Sequence, residues 1–405
     1  MDLGAGTGTG DGTAARGRLA DALRGPFPAF VVLYATLYGA YGTESPFLPS
    51  LLGERGLSAG EIGLVLAAGT LTRIAAGPVA GWLADRHDAT RLVLGVAAAA
   101  AGGLSFLYLL GHGFWLLLAI SMAHACAIAG LAPLADALAL AAAARDGSFA
   151  YGWIRGAGSA AFILGTLASG ALVARAGLDS IVVSSGVLFL AMALAALRLP
   201  CAEGARAEAG MPAGALRTLA AIPLYRRLVL VAALVIGSHA ANDAFAVIRW
   251  REAGIAPGTV SLLWSEAVAS EVVVFVLVGP WLLARLGPAR AAMLAAAVGV
   301  LRWGVMAATA SVPWLAATQL AHGLTFALLH LAAMRVIGAR VPARLSATAQ
   351  TLYGTFGLGL ASAGLTLASG LLFARLGAGT FWVMAGLCLA AIPLAARLGP
   401  PAGHG

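Results

Sequence analysis

Apolar runs of about twenty residues, the length that crosses a hydrocarbon core, recur along this 405-residue chain. They lie near 27–50, 61–84, 90–110, 114–143, 149–174, 178–198, 226–249, 259–284, 289–310, 313–337, 345–373 and 378–396. Within lipid every backbone N–H and C=O needs a protein partner, and runs this long meet that need as helices. The expected fold class is an all-α membrane protein with twelve transmembrane helices. Composition agrees: 10% of residues are charged, against about 25% in soluble domains. One long polar stretch, 200–224, carries Glu203, Arg206, Glu208 and Arg217. It separates six spans from six and reads as a cytoplasmic linker. The expected organisation is a disordered cytoplasmic tail over 1–26, a six-helix bundle over 27–199, the linker, a second bundle over 225–397, and a tail over 398–405.

Charge placement sets the orientation. All twenty-five basic residues are arginine, and the formal net charge is +8. The arginines gather at alternate span ends, among them Arg86, Arg91, Arg145, Arg226, Arg227, Arg285, Arg290, Arg340 and Arg397. The other ends hold Arg55, Arg175, Arg249, Arg251 and Arg375. By the positive-inside rule both termini are cytoplasmic, in the plasma membrane, or inner membrane of a bacterium. This placement explains the basic balance and argues against a nucleic-acid partner. Residues 1–26 lack the short apolar core and cleavage site of a signal peptide. The three cysteines lie far apart, in no metal or disulfide pattern.

The two halves echo each other. "TLASGALVARAG" at 166–177 returns as "TLASGLLFARLG" at 366–377, identical at nine of twelve positions. "DRHDATR" at 85–91 is echoed by "ARLGPAR" at 284–290. The offsets are 200 and 199, which predicts two parallel six-helix repeats. A site near the midplane between such repeats is a transporter arrangement.

Charges inside apolar spans mark that site, because intramembrane ionisable groups pair with one another or line a cavity. Asp136 precedes Arg145 by nine residues, about 13 Å into its span at 1.5 Å per residue. Arg155 follows Ser148 by seven residues, about 10 Å into the next span by the same rise. The two are expected to pair, as a substrate site or as a helix clamp. In the second half Glu266, Glu271, Arg302 and His322 form the titratable set. A histidine suits a proton relay because its ordinary pKa is near 6.5. Tyr34, Tyr38 and Tyr41 share a helical face that Glu44 continues. Gln319 and His322 share another, as do His239, Asn242 and Asp243. His124 and His330 read as interhelical hydrogen bonds, and Arg73 needs an acidic partner.

"GWLADRHDATR" at 81–91 resembles the loop signature of the major facilitator superfamily. The resemblance implies gating roles for Gly81, Asp85 and Arg86, and for Arg285 and Arg290 in the second copy. The ending His87-Asp88-Ala89-Thr90 departs from the pattern, and Ala284 replaces the acid of the second copy. "YGTESPFLPSLLGERGLSAGEIG", "PLADALAL", "YGWIRGAGSAAFILG", "LLWSEAVASEVVVF" and "AHGLTFALLH" together resemble the phenylpropionate permease group, relatives of lactose permease. By that resemblance Asp136 and Arg155 bind substrate; the polar helix faces add Tyr34, Tyr38 and Gln319 as further candidates. Arg302 and His322 match coupling positions. Thr325 stands where the relatives place an acid, and another family acid falls at Ala269, between Glu266 and Glu271.

The expected function is secondary active transport by alternating access. The cargo is a small organic solute, an aromatic acid of the phenylpropionate kind before a sugar or nucleoside, moved in symport with protons. Efflux is the other direction open to the same scaffold. An enzyme is not expected, since HExxH, P-loop and GxSxG motifs are absent. A membrane sensor would need an output domain. Metal and cofactor are not expected, and the chain is expected to act as a monomer.

Overall fold

The computed structural model describes residues 25–146, 149–199 and 214–399. Within these, every regular element is helical. Nine of the described helices are long and apolar enough to cross a membrane, and two of them run for 52 and 54 residues, over Pro257–Ala308 and Ala343–Ala396. Neither is straight. The first breaks at Gly287, with φ 70° and ψ 169°, followed by Pro288. The second breaks after Leu376 at Gly377, φ 52°. Gly177, φ 76°, closes Tyr151–Ala176 in the same way. The left-handed region suits glycine because it has no Cβ, which gives the repeated "ARxG" ending its structural meaning.

Helix starts are equally local. Proline occupies the first turn of Phe27–Glu44, Leu48–Glu54, Pro223–Val235, Pro257–Val273 and Val312–Leu320, where its missing N–H costs nothing. Ser58 opens Ala59–Arg86 with a capping box: its hydroxyl accepts from the Glu61 amide, and the Glu61 carboxylate accepts from the Ser58 amide at 2.8 Å.

Several predicted spans are interrupted. The stretch 27–50 is a helix ending at Glu44 and a short one over Leu48–Glu54, divided where Pro46 and Pro49 limit backbone hydrogen bonding. The stretch 114–143 is two helices, Phe114–Ile128 and Leu131–Asp146. In the C-terminal half, π turns occur over Asn242–Ala246, Val274–Val278 and Tyr353–Leu360. The stretch 313–337 breaks around His322–Thr325. Much of 1–26, 200–224 and 398–405 lies outside the described residues. The described part of the expected linker is helical over Ala215–Ala221, and Pro223 starts the next helix before the predicted 226.

Lipid offers no hydrophobic drive between helices, so small residues that permit close packing carry association. Phe27–Glu44 lies along Tyr151–Ala176. A Cβ on Gly42 would stand 2.2 Å from the Phe162 carbonyl oxygen, and one on Gly165 2.5 Å from that of Gly39. Thr166 also donates to the Gly42 carbonyl at 3.1 Å. In the second half, Gly279–Ala308 packs on Thr380–Ala396 and Ala327–Arg340. Trp115, Trp153, Trp314 and Trp382 are exposed, as suits tryptophans at a membrane interface.

The two most extensive pairings between the halves are Ala59–Arg86 with Ala361–Leu376, and Tyr151–Ala176 with Pro257–Val273. Both are tightest at the arginine-poor face. A Cβ on Gly63 would lie 2.9 Å from the Gly370 Cα, and one on Gly170 2.1 Å from the Ser261 hydroxyl. Gly170 and Gly370 are the same residue of the repeated "TLASG". Glu54 and Arg251 add a cross-half contact at 4.0 Å on that face.

Candidate functional site

A cavity of about 850 Å3 lies between the halves. Its N-terminal wall includes Tyr38, Glu44, Arg73, His124 and Arg155, and its C-terminal wall Asp243, Glu271, Gln319 and His322.

The C-terminal wall is organised by Arg302, which is 2% exposed. Its Nε donates to the Thr318 carbonyl at 2.8 Å, and one terminal nitrogen donates to the Thr325 hydroxyl at 2.6 Å. The same nitrogen lies 3.1 Å from His239 Nε2, and the other 3.0 Å from His322 Nδ1. Arginine has donors only, so both facing imidazole nitrogens accept. For His322 this leaves the proton on Nε2, which points at Glu271 Oε1, 2.6 Å away. For His239 it leaves the proton on Nδ1, beside the Val235 and Ile236 carbonyls at 3.1 and 3.0 Å. The result is a chain from the cavity through Glu271 and His322 to Arg302. Thr325 serves Arg302 as a neutral acceptor and donates to the His322 carbonyl at 2.8 Å. Gln319 lines the cavity and donates to Thr318. Glu266 shares the helix of Glu271 but is not among the lining residues. Five residues, about one and a half turns, turn its side chain to another face.

The N-terminal wall differs from expectation. Within the described residues Asp136 and Arg155 form no ion pair. The carboxylate instead accepts from the hydroxyls of Tyr34 and Tyr151, the latter at 2.9 Å. Arg155 lies over the Tyr38 ring, 4.5 Å from its centroid. Arg155 and Tyr38 line the cavity, whereas Asp136 and Tyr34 are set back from it. The two tyrosine hydroxyls satisfy Asp136, which frees the guanidinium to face the cavity. The acidic partner expected for Arg73 is not among the ion pairs of the described residues. Arg73 reaches the same cavity and donates to Thr70 at 3.0 Å.

The expected gating residues sit at the arginine-rich ends. Arg86 lies over Trp82 at 5.2 Å and Arg285 over Trp281 at 4.4 Å. These are matching Trp-x3-Arg positions of the two halves. Gly81 faces open space, and Arg290 and Asp85 are exposed. His239, Asp243, Glu44 and His124, expected on polar helix faces or in interhelical hydrogen bonds rather than in the site, also line the cavity. Their signal was the helical spacing of polar residues within apolar spans.

The model of the MFS_1-like family matches residues 29–384. The chain belongs to the MFS_1-like family of the major facilitator superfamily. This MFS_1-like protein is 33% identical over 373 residues to the Escherichia coli protein named "Probable 3-phenylpropionic acid transporter", covering 91% of this chain and 96% of that one. It is 25% identical to the uncharacterized transporter YwbF of Bacillus subtilis, over 84% and 86% of the two chains. Among solved structures it resembles the nucleoside transporter NupG, with a TM-score of 0.79, 16% identity, and coverage of 91% and 98%. It also resembles a D-xylose-proton symporter, at a TM-score of 0.67, 13% identity, and coverage of 92% and 97%. At such identities the structural likeness concerns the fold. The MFS_1-like protein is a multi-pass membrane transporter of a small molecule, and not an enzyme.

Proposed function

We propose that the MFS_1-like protein imports a small organic anion of the phenylpropionate kind together with protons. The observation that carries this reading is the cavity itself: Arg155 faces it from one wall, and Glu271, backed by His322 and Arg302, faces it from the other. An arginine fork is suited to a carboxylate, Tyr38 offers an aromatic face beside it, and Gln319 adds a polar contact. A carboxylate joined to an imidazole can take up and release a proton as its surroundings change between wet and dry. The 33% identity to the E. coli protein supports the choice of solute.

In this reading twelve spans form two six-helix repeats, 27–199 and 225–397, joined by the segment 200–224. The termini and the arginine-rich face are cytoplasmic in the inner membrane. Alternating access moves the glycine contacts at the other face apart and brings the arginine-rich ends together, where Gly81, Asp85, Arg86, Arg285 and Arg290 act. The protein works as a monomer.

Uptake of labelled 3-phenylpropionate into proteoliposomes tests this. Accumulation driven by an imposed pH gradient, without sodium, is expected. Transport of a sugar or nucleoside but not of the acid would reassign the solute. A requirement for sodium would overturn proton coupling.

A further inference from the structure

A second carboxylate–imidazole pair lies in the N-terminal half. Glu44 Oε1 stands 3.6 Å from His124 Nδ1, and the two side chains are 10% and 4% exposed. His124 Nε2 is 3.2 Å from the Ser105 hydroxyl, and Tyr108 next to it donates to Ser121 at 3.0 Å. Glu44, His124, Tyr108 and Arg73 all line the central cavity. Arg73 is an electrostatic neighbour of Glu44. Ionisable groups are expensive inside a membrane and are kept where they serve a pathway. The Glu271–His322 relay does not use these.

Their place in the chain adds an independent argument. Glu44 precedes Asp243 by 199 residues, His124 precedes His322 by 198, and Arg73 precedes Glu271 by 198. The first equals the 199 of the paired loops, and the other two fall one residue short of it. Each half thus sets an acid, a histidine and a further charged residue within one residue of corresponding positions, and both sets line one cavity. They differ in depth from the Asp136 site: Tyr34, which holds Asp136, is ten residues and about 15 Å from Glu44 along one helix. The Glu44 end is the one closed by Gly63 and Gly370, toward the arginine-poor face.

We propose that Glu44 and His124, with Arg73 beside them, form a second proton-binding site, separate from Glu271–His322 and filled from the opposite face. The inference rests on the proton-driven reading above. The groups facing the pair are Tyr41 on Glu44's own helix, Arg73 on Ala59–Arg86 and Tyr108 after Thr90–Leu107. Asp243 and Glu271 line the same cavity from the other half. On the two other helices packed against Glu44's, Arg155 is engaged by Tyr38 and Asp179 by Arg55. Asp136, on Leu131–Asp146, is held by its tyrosines.

Infrared pH titration of the full-length protein in liposomes tests this without any solute. The difference between wild type and Glu44→Gln should contain a carboxylic-acid C=O band that vanishes as pH rises. The band should persist in Glu271→Gln and titrate at a different pH in His124→Asn. Glu44→Asp, which retains a carboxyl group, should displace the band and replaces Glu44→Gln if that variant does not insert. A difference spectrum with no protonated band at any pH would make Glu44 a fixed structural anion and overturn the proposal. So would a band that His124→Asn leaves unmoved. In proteoliposomes the proton-to-3-phenylpropionate ratio, read from the reversal potential, should fall in Glu44→Gln while coupled uptake survives. An unchanged ratio counts against the second site. Failure of wild type to move the acid or protons counts against the proposed function, and the solute-free titration still decides the status of Glu44.

Discussion

His322 accepts from Arg302 through Nδ1 and presents Nε2 to Glu271 at 2.6 Å. A donor-only guanidinium on one side fixes the tautomer, so the proton of the imidazole is aimed at the carboxylate that borders the cavity.

Glu271→Gln keeps an acceptor oxygen for His322 but carries no titratable proton. The variant is expected to exchange labelled for unlabelled 3-phenylpropionate across a vesicle membrane, while accumulation against a gradient collapses to equilibration. Retained accumulation in this variant would remove Glu271 from coupling.

Arg155 contributes charge and a planar fork. A hydrogen bond to a charged group is worth about 1.5–3 kcal/mol, so Arg155→Gln should weaken binding of the acid roughly 10- to 100-fold. Arg155→Lys should not restore it, because the ammonium lacks the fork and the stacking on Tyr38. Calorimetry on folded variants checks both, and affinities within twofold of wild type in the two would place the anion elsewhere.

Asp136 has two tyrosine hydroxyls to satisfy. Asp136→Asn preserves an acceptor oxygen and should change stability little. Asp136→Ala orphans two hydroxyls, each at a cost of about 1–3 kcal/mol when buried, and should lower the melting temperature clearly. Equal melting temperatures for the two variants would show that the tyrosines find other partners.

The Gly63–Gly370 contact leaves no room for a side chain. Gly370→Leu should push the arginine-poor ends of Ala59–Arg86 and Ala361–Leu376 apart. Overpacking costs about 1–3 kcal/mol, enough to shift a two-state population by roughly 5- to 150-fold. Spin-label distances across that face should lengthen, and distances across the arginine-rich face should shorten. Identical distance distributions would mean that the contact does not report the state of the molecule.

The sequence by itself determined the membrane class, the positions of the apolar runs and the placement of Asp136, Arg155, Glu271, Arg302 and His322 within them. Those follow from local rules: lipid demands long apolar helices, and charges within them are few enough to notice. The repeat "TLASGxLxARxG" was legible as an echo, but its glycines gained meaning only when Gly170 and Gly370 met the other half of the chain. Tertiary structure alone decided that Asp136 is satisfied by Tyr34 and Tyr151, which freed Arg155. It alone decided that Thr325 takes over an acceptor role beside Arg302, and that Glu271, not Glu266, meets His322. Hydrogen-bond partners on different helices depend on rotation and depth, and the π turns at 242–246, 274–278 and 353–360 alter both without a mark in hydrophobic periodicity.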